Sequence, residues 1–238
     1  MAIGGEHTVK AFDEDISRLR GLISEMGGRA ELALTRAMTA LSTGDLALAA
    51  DVVRDDKRID ALEAEVEQLA VETIALRAPM ADDLREMIAS LKIVSVVERI
   101  GDYGKNIAKR VPQLSENRSI EAIPLLMSMS EMVAGLVRDS LDSFARRDAD
   151  LARSVTVRDK PVDDFYNSIF RTLVTFMMEN PRSISESAHL LFVAKNIERI
   201  GDHCTNIAES VHRMLTGEDI MGERPKSDDS ERGDGPLF

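Results

Sequence analysis

Cysteine is almost missing from this 238-residue chain. Cys204 stands alone, so no disulfide can close within the chain, and a reducing cytoplasm is the expected setting. Tryptophan is absent and aromatic residues make up only 4%, which leaves the chain poor in the aromatic and β-branched runs that mark strands. Basic residues are scarce as well. Thirty Lys and Arg face 42 Asp and Glu, for a net charge of −12. A nucleic-acid binder needs a basic surface to displace counterions, so no nucleic acid is expected as a partner. An anionic bilayer would repel the chain for the same reason. No apolar run approaches the roughly 20 residues of a membrane span, and MAIGGEHTVK lacks the layout of a signal peptide. Direct membrane insertion is therefore not expected, and any membrane process would be served by binding another protein.

What the chain does have is a helix-forming diet of Ala, Leu, Met, Glu and Arg, with 44% hydrophobic residues. Phe12, Ile16, Leu19, Ile23, Met26, Ala30, Ala33 and Ala37 form one apolar seam in steps of four and three. Gly44 breaks it, and Asp45 stands where an N-cap belongs. A second seam runs Val52, Asp55, Ile59, Leu62, Val66, Leu69, Thr73, Leu76, ended by Pro79. A third helix is expected from about Asp82 to Val111, stopped by Pro112.

The layout then repeats. A shift of 103 positions carries the middle seam onto Val155, Arg158, Val162, Phe165, Ile169, Thr172 and Phe176, with Asp148 in the N-cap place of Asp45. Pro181 takes the turn place of Pro79, and Met129, Met132, Leu136 and Phe144 mark the first helix of the second half. Helices this long live in bundles. The expected fold is all-α: two pseudo-symmetric up-down-up three-helix bundles, over residues 1–115 and 116–217. From Glu218 to the end the chain is polar, with seven acids against three bases, and a disordered acidic tail is expected over 218–238.

One pentapeptide, ERIGD, occurs twice, at Glu98–Asp102 and Glu198–Asp202, each followed at the same distance by Asn-Ile-Ala. Two acids at i,i+4 share a helix face and repel by a few tenths of a kcal/mol, and the glycine costs about 1 kcal/mol against alanine. The middle helices carry matching pairs, Asp56/Asp60 and Asp159/Asp163. The midpoints of Asp56/Asp60 and Glu98/Asp102 are equidistant from Pro79. Those of the second half are equidistant from the Asn180–Pro181 turn. Antiparallel helices then bring four carboxylates to one level, about 30 Å from each turn.

Such a quartet suits a cation. The alternative is ordinary ion pairing, with Arg99, Arg199, Lys57 or Lys160 neutralising the acids on a solvated face. Oxygen donors suit Mg, Mn, Ca or ferric iron rather than copper, and do not favour zinc. His203 and Cys204 lie off the carboxylate face; Asn106 and Asn206 extend it by another turn, either as outer groups or as bonds to a neighbouring helix.

Four segments, FDEDISRLRGLISEMGG, RDDKRIDALEAEVEQLA, LKIVSVVERIGDYGKNIAKR and HLLFVAKNIERIGDHCTNIAE, together resemble the PhoU family of regulators of bacterial phosphate uptake. The resemblance runs from about Phe12 to Gly217. It implies a cytoplasmic, often homodimeric two-bundle protein that binds metal clusters (Fe, Mn or Mg) through Asp56/Asp60, Glu98/Asp102, Asp159/Asp163 and Glu198/Asp202. It further implies a negative regulator of the phosphate-starvation response, coupling the phosphate ABC transporter, through its ATPase subunit, to a sensor histidine kinase. Rival functions are a metal-dependent enzyme, a phosphotransfer module on His189 and a plain helical scaffold. No nucleophile–base pair or Gly-rich phosphate loop supports the enzyme, and His189 lacks the small and basic neighbours of a phospho-acceptor.

Overall fold

The computed structural model describes residues 4–114 and 122–220, with side chains from residue 11 onward. The expected boundary at 115/116, and the tail beyond residue 220, lie outside the described residues. Six long helices dominate: α1 (Gly4–Thr43), α2 (Leu46–Arg77), α3 (Asp82–Ala108), α5 (Ala122–Arg146), α6 (Ala149–Glu179) and α7 (Ile184–Thr216). A single-turn helix, α4 (Val111–Leu114), and a 3-10 turn (Pro181–Ser183) complete the elements, and there is no strand among the described residues. None of these helices is long and apolar enough to cross a membrane.

Both N-caps are where the repeat places them. Asp45 accepts the Leu48 amide at 2.9 Å and Asp148 the Leu151 amide at 2.9 Å, each satisfying an orphan donor of the first turn. The third helix ends three residues short of the expected Val111. Pro112 sits inside α4 rather than after a helix, because the first turn of a helix has no need of the N–H that proline lacks.

The seams bury as their spacing requires, with local exceptions. Ile16, Leu19, Ile23, Met26, Ala30 and Ala37 are core, and Leu34 takes the place expected of Ala33. In α2 the seam passes through Asp56 instead of Asp55, and in α6 through Asp159 and Leu173 instead of Arg158 and Thr172. Leu76 is exposed near the hairpin tip. Asp55 and Arg158 instead make surface ion pairs with the first helix of their own bundle. Arg36 donates to Asp55 at 2.7 Å, and Arg158 donates to Asp139. Arg36 and Asp139 are themselves related by the 103-residue shift, so the duplicated pair survives with its charges exchanged.

Helices α1–α3 pack together, as do α5–α7, and the two bundles join along α3 against α7 and α1 against α5. The first of these contacts is antiparallel. Tyr103 stacks on His203 at 5.5 Å between ring centroids, while the Arg110 guanidinium lies 4.1 Å over the Phe192 ring. The two ERIGD helices thus run side by side through the middle of the molecule. Of the methionines that mark α5, Met129 is core and Met132 is exposed.

A buried charge also ties the bundles together. Glu86 of α3 is 4% exposed; one of its oxygens accepts from Arg20 Nε at 2.6 Å and the other from Arg147, in the α5–α6 turn. Arg147 holds a left-handed φ of 53°, where its counterpart in the first half is Gly44 at 65°. Left-handed backbone costs a non-glycine residue roughly 1–2 kcal/mol, whereas a hydrogen bond to a charged group contributes about 1.5–3 kcal/mol, Arg20 remaining on the other Glu86 oxygen. Arg147→Gly is therefore expected to lower stability by about 1 kcal/mol net. A higher urea midpoint in the variant would show that Arg147 is only a turn residue.

Candidate functional site

The glycine of each ERIGD lies where α3 or α7 meets the middle helix of its own bundle. A Cβ at Gly101 would stand 2.7 Å from Ile59 Cδ1 and 3.8 Å from Asp56 Oδ1, and one at Gly201 would stand 2.8 Å from Asp159 Oδ1. The helix-propensity cost of these glycines is thus offset by close approach, which brings a middle-helix carboxylate against each ERIGD helix. That approach also explains why Asp56 and Asp159 are buried while Asp60 is exposed.

In the first bundle the expected register holds. Burial is the main force raising the Glu98 carboxyl above its usual value, followed by the charges of Asp102, Glu63 and Asp60. Asp56 is likewise raised, first by burial and also by Asp60 and Asp102, against the pull of Lys105. Asp56, Asp60, Glu98 and Asp102 therefore occupy one electrostatic neighbourhood. Glu63 joins them: burial and then Glu67, Asp60 and Asp102 raise its carboxyl too.

The second bundle repeats the arrangement. Glu198 is 4% exposed, and burial raises its carboxyl strongly enough to outweigh Lys195, with Asp202 and Asp163 adding to the rise. One Glu198 oxygen accepts from Lys195 at 2.7 Å, and the other, Oε2, is buried without a hydrogen-bond partner. Asp159 completes the group, its Oδ1 lying beside Gly201 where a Cβ would come within 2.8 Å of it. Pro161, in the middle of α6 between Asp159 and Asp163, supplies no N–H to the preceding turn.

Two lysines that sequence adjacency did not single out neutralise Asp56, Asp102 and Glu198. Lys105 donates to Asp56 Oδ2 at 2.5 Å and also pairs with Asp102; Lys195 serves Glu198. Lys160 instead reaches Asp164 at 3.8 Å on the surface, and the Arg199 guanidinium stands 6.0 Å from the Tyr103 ring. The signal for both lysines was in the spacing. Lys105 follows Asp102 by three residues and Lys195 precedes Glu198 by three, so each shares a face with its acid.

Cys204 is fully buried, and burial, with Asp159 nearby, pushes its thiol well above the normal range, so it offers no thiolate. Asn206 hydrogen-bonds toward His203 at 3.4 Å, on the cleft between α3 and α7.

The donor set is oxygen-rich and fits a hard cation. Two features of the structure bear on that fit: an ammonium stands among the carboxylates of the first cluster, and an unpartnered buried carboxylate oxygen belongs to the second. Among the described residues no three Asp, Glu, His or Cys side chains converge closely enough to cage a metal ion in this conformation. Metal uptake would therefore require the carboxylates to rotate inward, as groups of like charge do only once a cation is present.

Comparison with known proteins accords with the duplication. A family model described as the PhoU domain matches residues 23–111 and again 126–211. A Zymomonas mobilis protein named phosphate-specific transport system accessory protein PhoU homolog is 53% identical over 223 residues, covering 94% of each chain. The crystal structure of PhoU from Pseudomonas aeruginosa superposes with a TM-score of 0.84 at 38% identity, over 87% of this chain and all of that one. The phosphate transport system regulatory protein PhoU from Streptococcus pneumoniae gives 0.82 at 27% identity, over 88% of this chain and 99% of that one.

Proposed function

The chain belongs to the PhoU family, and on that premise we propose that it is a cation-binding negative regulator of phosphate uptake and of the phosphate-starvation response. The observation that carries this reading is the duplicated carboxylate cluster, one per bundle, built by ERIGD and the middle-helix acids at matching heights. Eight residues would hold the metal: Asp56, Asp60, Glu98 and Asp102 in the first bundle, Asp159, Asp163, Glu198 and Asp202 in the second. The ion, Fe, Mn or Mg, would supply positive charge that draws each pair of helices together, a structural or signalling role rather than a catalytic one.

The relatives' names, accessory and regulatory proteins of phosphate transport, support regulation over catalysis. The partners in this reading are the ATPase subunit of a phosphate ABC transporter and a sensor histidine kinase, met in the cytoplasm. A homodimer belongs to it too, on the family resemblance alone, and its mass in solution is the check.

The regulatory reading is tested by deleting the gene and measuring alkaline phosphatase in phosphate-rich medium. Activity is expected to rise to the level of starved cells and to fall again when the gene is restored on a plasmid. Unchanged repression in a strain with no second family member would refute it.

A further inference from the structure

The two carboxylate clusters are copies by descent, yet their lysines are not. Lys105 has Thr205 at the corresponding place of the second half, and Lys195 has Ser95 in the first. The consequences differ in kind. Lys105 has its side chain 21% exposed, and its ammonium bridges Asp56 of α2 and Asp102 of α3, the same two helices a metal would join. Lys195 is 43% exposed and pairs with Glu198 three residues on along its own helix, so that pair joins no second helix. Its ammonium also stands 5.2 Å from the Tyr166 ring, which offers it a second resting place outside the carboxylates. Thr205 is buried and bonds back to its own helix, so it places no charge in the second cluster.

We propose that Lys105 is a tethered internal cation that competes with metal for the first cluster, so that the two sites fill in order, the second bundle before the first. This rests on the cation-binding reading above. A divalent ion entering the first cluster must displace an ammonium held by two carboxylates and then bear its repulsion. One entering the second meets a buried carboxylate oxygen already lacking a partner, beside a more exposed lysine whose pair with Glu198 lies within one helix. The first site then responds only to high cation activity, which gives the protein two thresholds from one duplicated fold.

The test is Mn(II) titration of the full chain, followed by loss of the six-line electron paramagnetic resonance signal of the free ion. Wild type is expected to show two classes of site differing at least tenfold in affinity. With the second cluster removed by Glu198→Ala and Asp202→Ala, only the weaker class should remain, and adding Lys105→Met should tighten it at least tenfold. Lys105→Arg, which keeps the charge, should leave it weak. Circular dichroism confirms that each variant is helical, and Lys105→Gln replaces the methionine variant should that one fail to fold. Equal affinities in wild type, or no tightening on loss of the lysine charge, would overturn the ordered filling while leaving cation binding intact. No Mn(II) uptake at either cluster would overturn both.

Discussion

Replacing Glu198 and Asp202 together by alanine is expected to reverse the order of stability between mutant and wild type, depending on whether metal is present. In chelator the mutant should melt higher. Wild type carries a buried Glu198 whose Oε2 has no partner, together with like charges at Asp202 and Asp163, and alanine removes that cost while favouring the helix. A gain of about 1 kcal/mol corresponds to roughly 2–4 °C in a domain of this size. With Mn(II) in excess the order should invert, because a ligand at a hundredfold its dissociation constant stabilises the folded state by about 2.7 kcal/mol, which the mutant forgoes at that site. Glu98→Ala with Asp102→Ala should do likewise for the first bundle, with a smaller inversion because Lys105 already neutralises Asp56. The measurement is a melting temperature for wild type and both double mutants, with chelator and with metal. Equal metal-induced shifts in all three would show the eight carboxylates to be ordinary solvated acids.

The register that makes this experiment meaningful was legible in the sequence. Equidistance of the acid pairs from Pro79 and from the Asn180–Pro181 turn places Asp60 near Glu98 and Asp163 near Glu198, and in the structure Asp60 acts on Glu98 and Asp163 on Glu198. The caps at Asp45 and Asp148 were legible for the same local reason: a short acceptor before an apolar run has one good use. The misses share one cause. A seam in steps of three and four leaves two candidates at every step, and a helix of 3.6 residues per turn drifts between them. Ala33 against Leu34, Asp55 against Asp56, Arg158 against Asp159 and Thr172 against Leu173 are all such choices. At Asp55/Asp56 the residue type gave no help, since both are aspartate and hydrophobicity cannot vote. What settles it is tertiary: Asp56 lies beside Gly101, whose missing side chain makes room for Ile59 and lets the two helices approach. The Glu86 triad was beyond local reasoning altogether, because Arg20, Glu86 and Arg147 meet only when the two bundles dock.

Acidification should stabilise the metal-free protein before it destabilises it. Burial raises Asp56, Glu63, Glu98, Glu186 and Glu198 above their ordinary values, 3.8 for aspartate and 4.5 for glutamate, so these groups take up protons more readily folded than unfolded. Their stabilising contribution is complete below the unfolded values and is lost as pH rises through the folded ones. Going down from pH 7 toward about 5, stability from this source therefore increases. Acids of the opposite kind act lower. Glu25 is held below its usual value, chiefly by its hydrogen bond from Arg29, so its contribution is lost only as pH falls below the ordinary glutamate range. The melting temperature in chelator should thus pass through a maximum on the acid side of neutrality. Bound metal demands ionised carboxylates, so with Mn(II) present the slope between pH 5 and 7 should change sign and stability should climb with pH. The Glu198→Ala, Asp202→Ala variant isolates the share of the second cluster, since it should lessen both slopes without moving the decline at lower pH. Calorimetry at pH 7, 6 and 5 in chelator and in metal checks the pattern; a metal-free melting temperature that falls steadily over that range would mean the clusters are hydrated and their burial is not felt.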